Sequence, residues 1–134
     1  LTPRPGVCSG MMIAQYTAAA CCNEIITLST PASVVNLSTS AGIEDYNSFG
    51  PRAGAKLRQA IDRARTVVAI ELLCAAEAIE YHRPLRSGEG VERAHASIRQ
   101  RVARLTADRV LAPDIASIED QIRSGAFDLA SSLV

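Results

Sequence analysis

The stretch LRQAIDRARTVVAIELLCAAEAIEY, residues 57–81, decides how this chain folds. Leu57, Ile61, Ala64, Val68, Leu72, Ala75 and Ile79 recur at steps of three and four, the spacing that aligns side chains on one helix face. Val67, Ile70, Leu73, Cys74 and Ala78 make a second apolar face. A helix apolar on two faces is expected to be buried on two faces. The pattern predicts a helix from near Glu44 or Asp45 to about Tyr81, where Pro84 forbids further extension; Pro51 and Gly54 are expected to kink its first part. Such a helix, roughly 36 residues rising about 1.5 Å each, spans about 54 Å. A compact domain of 134 residues has a diameter of only about 36 Å. The overshoot, together with a chain that begins at Leu1 without a methionine, predicts a piece of a larger, helical, oligomeric protein. The excess length is then covered by more of the same polypeptide, by other subunits, or by both.

Outward from this helix the pattern stays helical, and no segment alternates as a strand does. Ser9 is expected to cap a helix from about Gly10 to Leu28 that carries Met11, Met12, Ile13, Ala18, Cys21, Cys22, Ile25 and Ile26 and is stopped by Pro31. Residues 1–8, with Pro3 and Pro5, read as an extended lead-in. Residues 29–42 read as a loop rich in Ser, Thr and Gly, pinned down by Val34 and Val35. After the turn SGEG, Val91, Ala94, Ile98, Val102 and Leu105 form one stripe of a helix from about 89 to 105. A last helix starts around Pro113 and Asp114 and ends at Ser124 and Gly125, since proline suits the first turn and glycine the position past the C-cap. The fold class is therefore all-α. Residues 1–134 read as a single helical segment of a larger domain, not a self-sufficient one.

Composition narrows the function classes. Apolar residues make up 48% of the chain but aromatics only 4%, with no Trp, which suits close-packed helices. Fourteen Lys and Arg balance fourteen Asp and Glu, so no net field gathers nucleic acid or an acidic membrane. Cys8, Cys21, Cys22 and Cys74 form no C-x-x-C; no metal site or disulfide framework is expected, and all four read as small buried hydrophobes in a reduced compartment. The segment MMIAQYTAAACC lacks a basic region before it beyond Arg4 and is interrupted by Gln15 and Tyr16, so it reads neither as a secretion signal nor as a membrane span. A soluble, cytoplasmic chain is expected. No phosphate loop or nucleophile triad occurs.

The segment SGMMIAQYTAAACCNEIITLSTPASVVNLSTSAGIEDYNSFG resembles the C-terminal part of the histidine ammonia-lyase and aromatic amino acid lyase and aminomutase family. That family's pattern is approximately S-G-F-M-I-A-Q-x-T-A-A-A-L-x-S-E-N, then H-P-A-S-V, then T-S-A-x-Q-E-D-H-x-S-M. The matching residues are Ser9-Gly10, Met12 to Gln15, Thr17 to Ala20, Glu24, Pro31 to Val34, Thr39 to Ala41, Glu44-Asp45 and Ser48, in ungapped spacing. VVAIELLCAAEAIEYHRPL resembles the family's long core helix, and DRVLAPDIASIEDQIRSGAF its closing segment. The resemblance implies a homotetrameric lyase of long antiparallel bundle helices, with each active site assembled from more than one subunit. It also implies 4-methylideneimidazol-5-one as the electrophile, made from an Ala-Ser-Gly that these 134 residues do not contain. The partners implied are the remainder of the lyase and an amino acid substrate.

Within that resemblance, Glu44 matches the position that approaches the substrate side chain in histidine-type members, where phenylalanine and tyrosine types carry Gln. The chemistry needs a base for a weakly acidic β-proton and groups that orient the substrate. Read at a helix N-terminus, a carboxylate at Glu44 would be held charged by the positive end of the dipole. Met12 matches a pocket-lining methionine, with core filler beside Met11 as the competing reading. Ile43 stands where the histidine type has Gln, Cys8 where Asn or His is usual, and Tyr46 and Phe49 replace His and Met. An aminomutase and a non-catalytic scaffold of the same descent therefore stay beside the ammonia-lyase. Gln15 is expected to be a buried hydrogen-bonding residue, Asp45 a structural one, His82 and His95 surface or packing residues, and RQRVAR, Arg99 to Arg104, a solvated helix face.

Overall fold

In the computed structural model, residues 1–2 and 4–128 are described; Pro3 and the end of the 1–134 segment lie outside the described residues. Four helices follow one another: α1, Met12–Leu28; α2, Gly50–Tyr81; α3, Glu89–Arg99; and α4, Ala112–Arg123. Among the described residues there is no strand, only a single antiparallel bridge between Thr39 and Glu44. At about 1.5 Å per residue, the 32 residues of α2 span about 48 Å. Against it α1 runs antiparallel, tied by the Arg63–Glu24 ion pair at 2.6 Å and by Lys56 Nζ donating to the Thr30 carbonyl. The middle of α2 takes α4, where the Thr66 hydroxyl donates to Glu119.

The core lies along one side of α2. Ala69, Leu73 and Ala76 pack with Met11, Ile98, Val102, Leu105 and Ile118. The two alanines flanking Leu73 let neighbouring backbones approach, and burying a leucine of this kind is worth about 1.5–3 kcal/mol. The second of the two apolar faces is the one that is buried. The first is not: Leu57 is 61% exposed, and Ile61 and Val68 are also open to solvent. The expectation of burial on both faces is thus met on one only within this chain, because α1 and α4 cover one side of α2 and leave the other uncovered.

Several boundaries differ from expectation. The long helix begins at Gly50, not at Glu44 or Asp45, because Ser40, Ala41, Gly42 and then Phe49 adopt left-handed backbone conformations that break the helical path. Pro51 sits in the first turn, where it needs no hydrogen-bond partner, and α2 continues through Gly54 as one helix without a kink. Ser9 does not cap α1, which starts at Met12. The backbone N–H groups of Ser9 and Gly10 instead donate to Asp108 Oδ2 and Oδ1 at 2.8 and 2.9 Å. The lead-in is not extended at 4–8 but turns, with the amides of Val7 and Cys8 donating to the Arg4 carbonyl. Helix α3 stops at Arg99, although Val102 and Leu105 stay buried in the irregular segment beyond it. The last helix begins and ends close to expectation, with Gly125 at φ 74° just past its end.

A buried polar cluster replaces the solvated face expected for Arg99 to Arg104. Glu77, 1% exposed, accepts from Arg99 Nη2 at 2.8 Å, from Arg104 Nη2 at 3.5 Å and from the Leu105 amide at 3.2 Å. Glu80 accepts from Arg99 Nε and His95 Nε2, both at 3.0 Å. Because Arg83 Nη2 can only donate, His95 Nδ1, 3.4 Å away, is the acceptor there. Burial pushes the Glu80 carboxyl up, and the hydrogen bonds from Arg99 and His95 more than offset it, so its net shift is downward. His95 is accordingly a packing residue that joins α2 to α3. The four cysteines are free; Cys22 is exposed and the other three are half-buried, so none is the fully buried hydrophobe expected. Val34 and Val35, expected to pin the loop, are exposed, as is Gln15. Among the described residues, no helix is long and apolar enough to cross a membrane.

Candidate active site

Residues 29–49 connect α1 to α2 and carry the Thr39 to Ser48 motif. The Thr39 amide donates to the Glu44 carbonyl at 2.6 Å, and the Glu44 amide donates back to the Thr39 carbonyl at 3.2 Å. Between these residues the chain reverses through a single helical turn with Ser40, Ala41 and Gly42 at φ 54°, 55° and 86°. Only the glycine adopts this conformation freely; the left-handed region costs Ser40 and Ala41 roughly 1–2 kcal/mol each. What holds the turn is a pair of asparagines at its base. Asn36 Oδ1 accepts from the amides of Leu37 and Asn47, each at 3.0 Å, and Asn36 Nδ2 donates to the Asn47 carbonyl at 2.8 Å. Asn47 Nδ2 donates to the Leu37 carbonyl at 2.8 Å and to Asn36 Oδ1 at 3.3 Å. Both asparagines are half-buried in an otherwise exposed loop.

Glu44 therefore stands on a braced hairpin, six positions before the first residue of α2. A helix dipole acts over its first turn, so the expectation that α2 holds the Glu44 charge is not met. Its neighbour is instead the Thr39 hydroxyl, which donates to Glu44 Oε2 at 3.4 Å. Among the described residues no cation pairs with Glu44, which leaves the carboxylate free to accept N–H groups from a ligand. Ile43 and Tyr46 flank it at 85% exposure each, almost uncovered among the described residues. Met12 is 47% exposed, whereas Met11 beside it fills the core, so of the two methionines Met11 is the filler. Met12 begins α1 and the Glu44 loop follows its end, with about 24 Å of helix between those ends.

Two clefts lie nearby. One of about 650 Å³ is lined by Leu28, Pro31, Val34, Phe49 and Arg52, and another of about 440 Å³ by Ser9, Ile13, Thr17, Asp108 and Leu111. Neither includes Met12, Ile43 or Glu44. Among the described residues no group of His, Cys, Asp or Glu is arranged to hold a metal ion. The asparagine pair and Asp108 were not legible as site-supporting residues, because each acts on backbone groups that pattern reading does not register. The only available signal was Asn47 in the position that the T-S-A-x-Q-E-D-H-x-S-M pattern leaves open.

The class defined so far is an all-α segment built on one long helix with a braced hairpin ahead of it. The sequence model of the aromatic amino acid lyase family matches residues 1–100. The chain is 49% identical over its whole length to a histidine ammonia-lyase of Symbiobacterium thermophilum and 44% identical over 129 residues to one of Anaeromyxobacter sp. strain K. It superimposes on the crystal structure of histidine ammonia-lyase from Trypanosoma cruzi with a TM-score of 0.88 and 36% identity over 94% of this chain. On the ergothioneine-degrading enzyme ergothionase from Treponema denticola, solved with desmethyl-ergothioneine sulfonic acid, the TM-score is 0.84 at 28% identity, again over 94% of this chain. The chain belongs to the aromatic amino acid lyase family. It spans about a quarter of the length of these relatives, 26% and 25% of the two sequences and 25% of each structure.

Proposed function

We propose that this chain is the C-terminal portion of an amino acid ammonia-lyase of histidine type, which eliminates ammonia to give an α,β-unsaturated acid. The observation that carries the reading is Glu44, a carboxylate with no cation partner among the described residues, presented on a braced hairpin in the family's Thr39 to Ser48 motif. An imidazole N–H is a matching donor for that carboxylate, and a charge-assisted hydrogen bond of this kind orients a substrate ring more strongly than a neutral one. Ile43, on the same hairpin, presents an apolar face to the substrate. Met12, at the far end of α1, joins the same site where another copy or the rest of the polypeptide brings it there.

The residues present do not supply the family's electrophile, since no Ala-Ser-Gly occurs among them. In the complete enzyme 4-methylideneimidazol-5-one supplies an electron sink for the substrate amine, and the part played by this chain is to bind and orient. The open face of α2 and the exposed Ile43 and Tyr46 support a site completed by other parts of the polypeptide and by further subunits; the assembly proposed is a homotetramer, placed in the cytoplasm as part of the same reading. An aminomutase uses the same binding groups, and the ergothionase likeness also fits an imidazole-bearing substrate.

The test is Glu44→Gln in the complete enzyme. Loss of the charged acceptor is expected to lower kcat/KM for histidine by roughly 10²-fold with native mass unchanged, and to shift preference toward Phe and Tyr. Unchanged activity on every amino acid removes Glu44 from the site.

A further inference from the structure

Three polar clusters hold this chain together: the buried Glu77 cluster, the Asp108 grip on Ser9 and Gly10, and the asparagine pair under the Glu44 hairpin. The first two stabilise the packing of helices far from the candidate carboxylate. The third reaches it directly.

We propose that Asn36 and Asn47 are positioning residues that set where Glu44 presents its carboxylate. This rests on the reading of Glu44 as a substrate-binding group. The hairpin from Thr39 to Glu44 has little to hold it otherwise: its residues are exposed, and Ser40 and Ala41 sit in left-handed conformations that a free loop would leave. Thr39 and Glu44 bridge each other, but an isolated bridge of two backbone hydrogen bonds is a weak constraint in water. One level below it, the asparagines join the two arms of the hairpin through four hydrogen bonds, of which two are the short side-chain contacts to the Asn47 and Leu37 carbonyls at 2.8 Å. The Asn36 side chain both donates to and accepts from the backbone of residue 47, and the Asn47 side chain donates back to residues 36 and 37, so the pair locks the register between residues 36–37 and 47. Glu44 lies three residues above that lock, and a shift in register would swing its side chain away from where a ligand meets it.

The pair also limits what can be built there. Asparagine offers a donor and an acceptor on one short side chain; the arrangement needs both at residue 36 and the donor at residue 47. Replacing Asn36 with alanine removes three of the four cross-hairpin bonds and replacing Asn47 removes two, in either case without burying a charge or opening a core cavity, since both residues are only half-buried. The change is therefore felt at the hairpin more than in the fold.

A double-mutant cycle in the complete enzyme tests this: Asn47→Ala, Glu44→Gln and the two together, assayed on histidine, with native mass and Tm recorded for each. Asn47→Ala is expected to lower kcat about tenfold with KM changed by less than about threefold, because a misplaced orienting group costs turnover. In the Glu44→Gln background the same change should cost less than about twofold, since the asparagine acts through a carboxylate that is no longer there. Asn36→Ala should repeat the pattern, guarding against an effect peculiar to one variant. Equal losses in both backgrounds, or a loss that tracks a lower Tm, would make the pair a general stabiliser and overturn the proposal. An unaffected Glu44→Gln enzyme would overturn the functional reading itself and the proposal with it.

Discussion

At Gly10 the chain leaves no room for a side chain. An added Cβ would overlap the Leu1 carbonyl and lie 2.8 Å from Thr2 Cβ, and the backbone is already at φ 60°. The Ser-Gly pair ahead of α1 is thus a packing requirement, and Asp108 holds it by accepting both amides. Those two hydrogen bonds, from Ser9 first and then Gly10, keep the Asp108 carboxyl below its ordinary range. Gly10→Ala is expected to destabilise the complete protein by at least about 2 kcal/mol, seen as a lower Tm, because it combines overpacking with a left-handed conformation. A neutral effect would mean that the turn at 9–11 is loose. Motif matching found the residues that recur at this place but not the reason for them. Ser9 looked like a helix cap, yet its amide, not its hydroxyl, is what the structure uses.

At the scale of elements, periodicity placed four helices and named their apolar stripes, and it failed where side chains act on backbone. Helix α2 starts five or six residues later than its acidic lead-in suggests, because Glu44 and Asp45 resemble a first turn while the left-handed Ser40, Ala41 and Phe49 have no periodic signature. Glu77 shows the same limit. Its position in α2 reads as polar, and only the fold brings Arg99, Arg104 and the Leu105 amide onto it. Removing one partner of a buried pair strands the other, so Glu77→Ala is expected to cost about 3–5 kcal/mol in thermal or denaturant unfolding. Arg63→Ala, which breaks the exposed pair with Glu24, should cost less than about 1 kcal/mol. Equal effects would show that Glu77 is wetter than its burial implies.

The junction of α2 and α3 also predicts a pH dependence. Glu92 accepts from Arg83 in a two-point contact and from the Ser87 amide, and these hold its carboxyl down from 4.5 to about 2. A carboxyl lowered in the folded state contributes stability that is complete above its ordinary value and is lost as pH falls through the folded value. The loss here runs from about pH 4.5 down to about 2. Glu92→Gln should flatten that part of the Tm-against-pH curve; an unchanged slope would assign the acid sensitivity to other carboxylates.

For the whole molecule, the open side of α2 is the feature that composition alone could not resolve. The stripe through Leu57, Ile61 and Val68 is expected to be covered, and among the described residues all three stay exposed. In the proposed tetramer that stripe meets other parts of the assembly. Ile61→Glu, which puts a charge on it, is expected to lower the native mass of the complete protein while leaving its helical content intact. A mutant of unchanged native mass would mean that this side of α2 faces solvent in the assembly too. The all-α class was legible because a 32-residue apolar pattern admits little else, whereas the site was legible only as a motif: Glu44 could be named, but the hairpin that presents it depends on Asn36 and Asn47.

The most direct measurement is ammonia release by the complete, purified protein given L-histidine, followed alongside the ultraviolet absorbance of the unsaturated acid. The account predicts that both signals rise together, and faster on histidine than on phenylalanine or tyrosine. An assembled protein that releases no ammonia from histidine, or that favours phenylalanine or tyrosine, would contradict it.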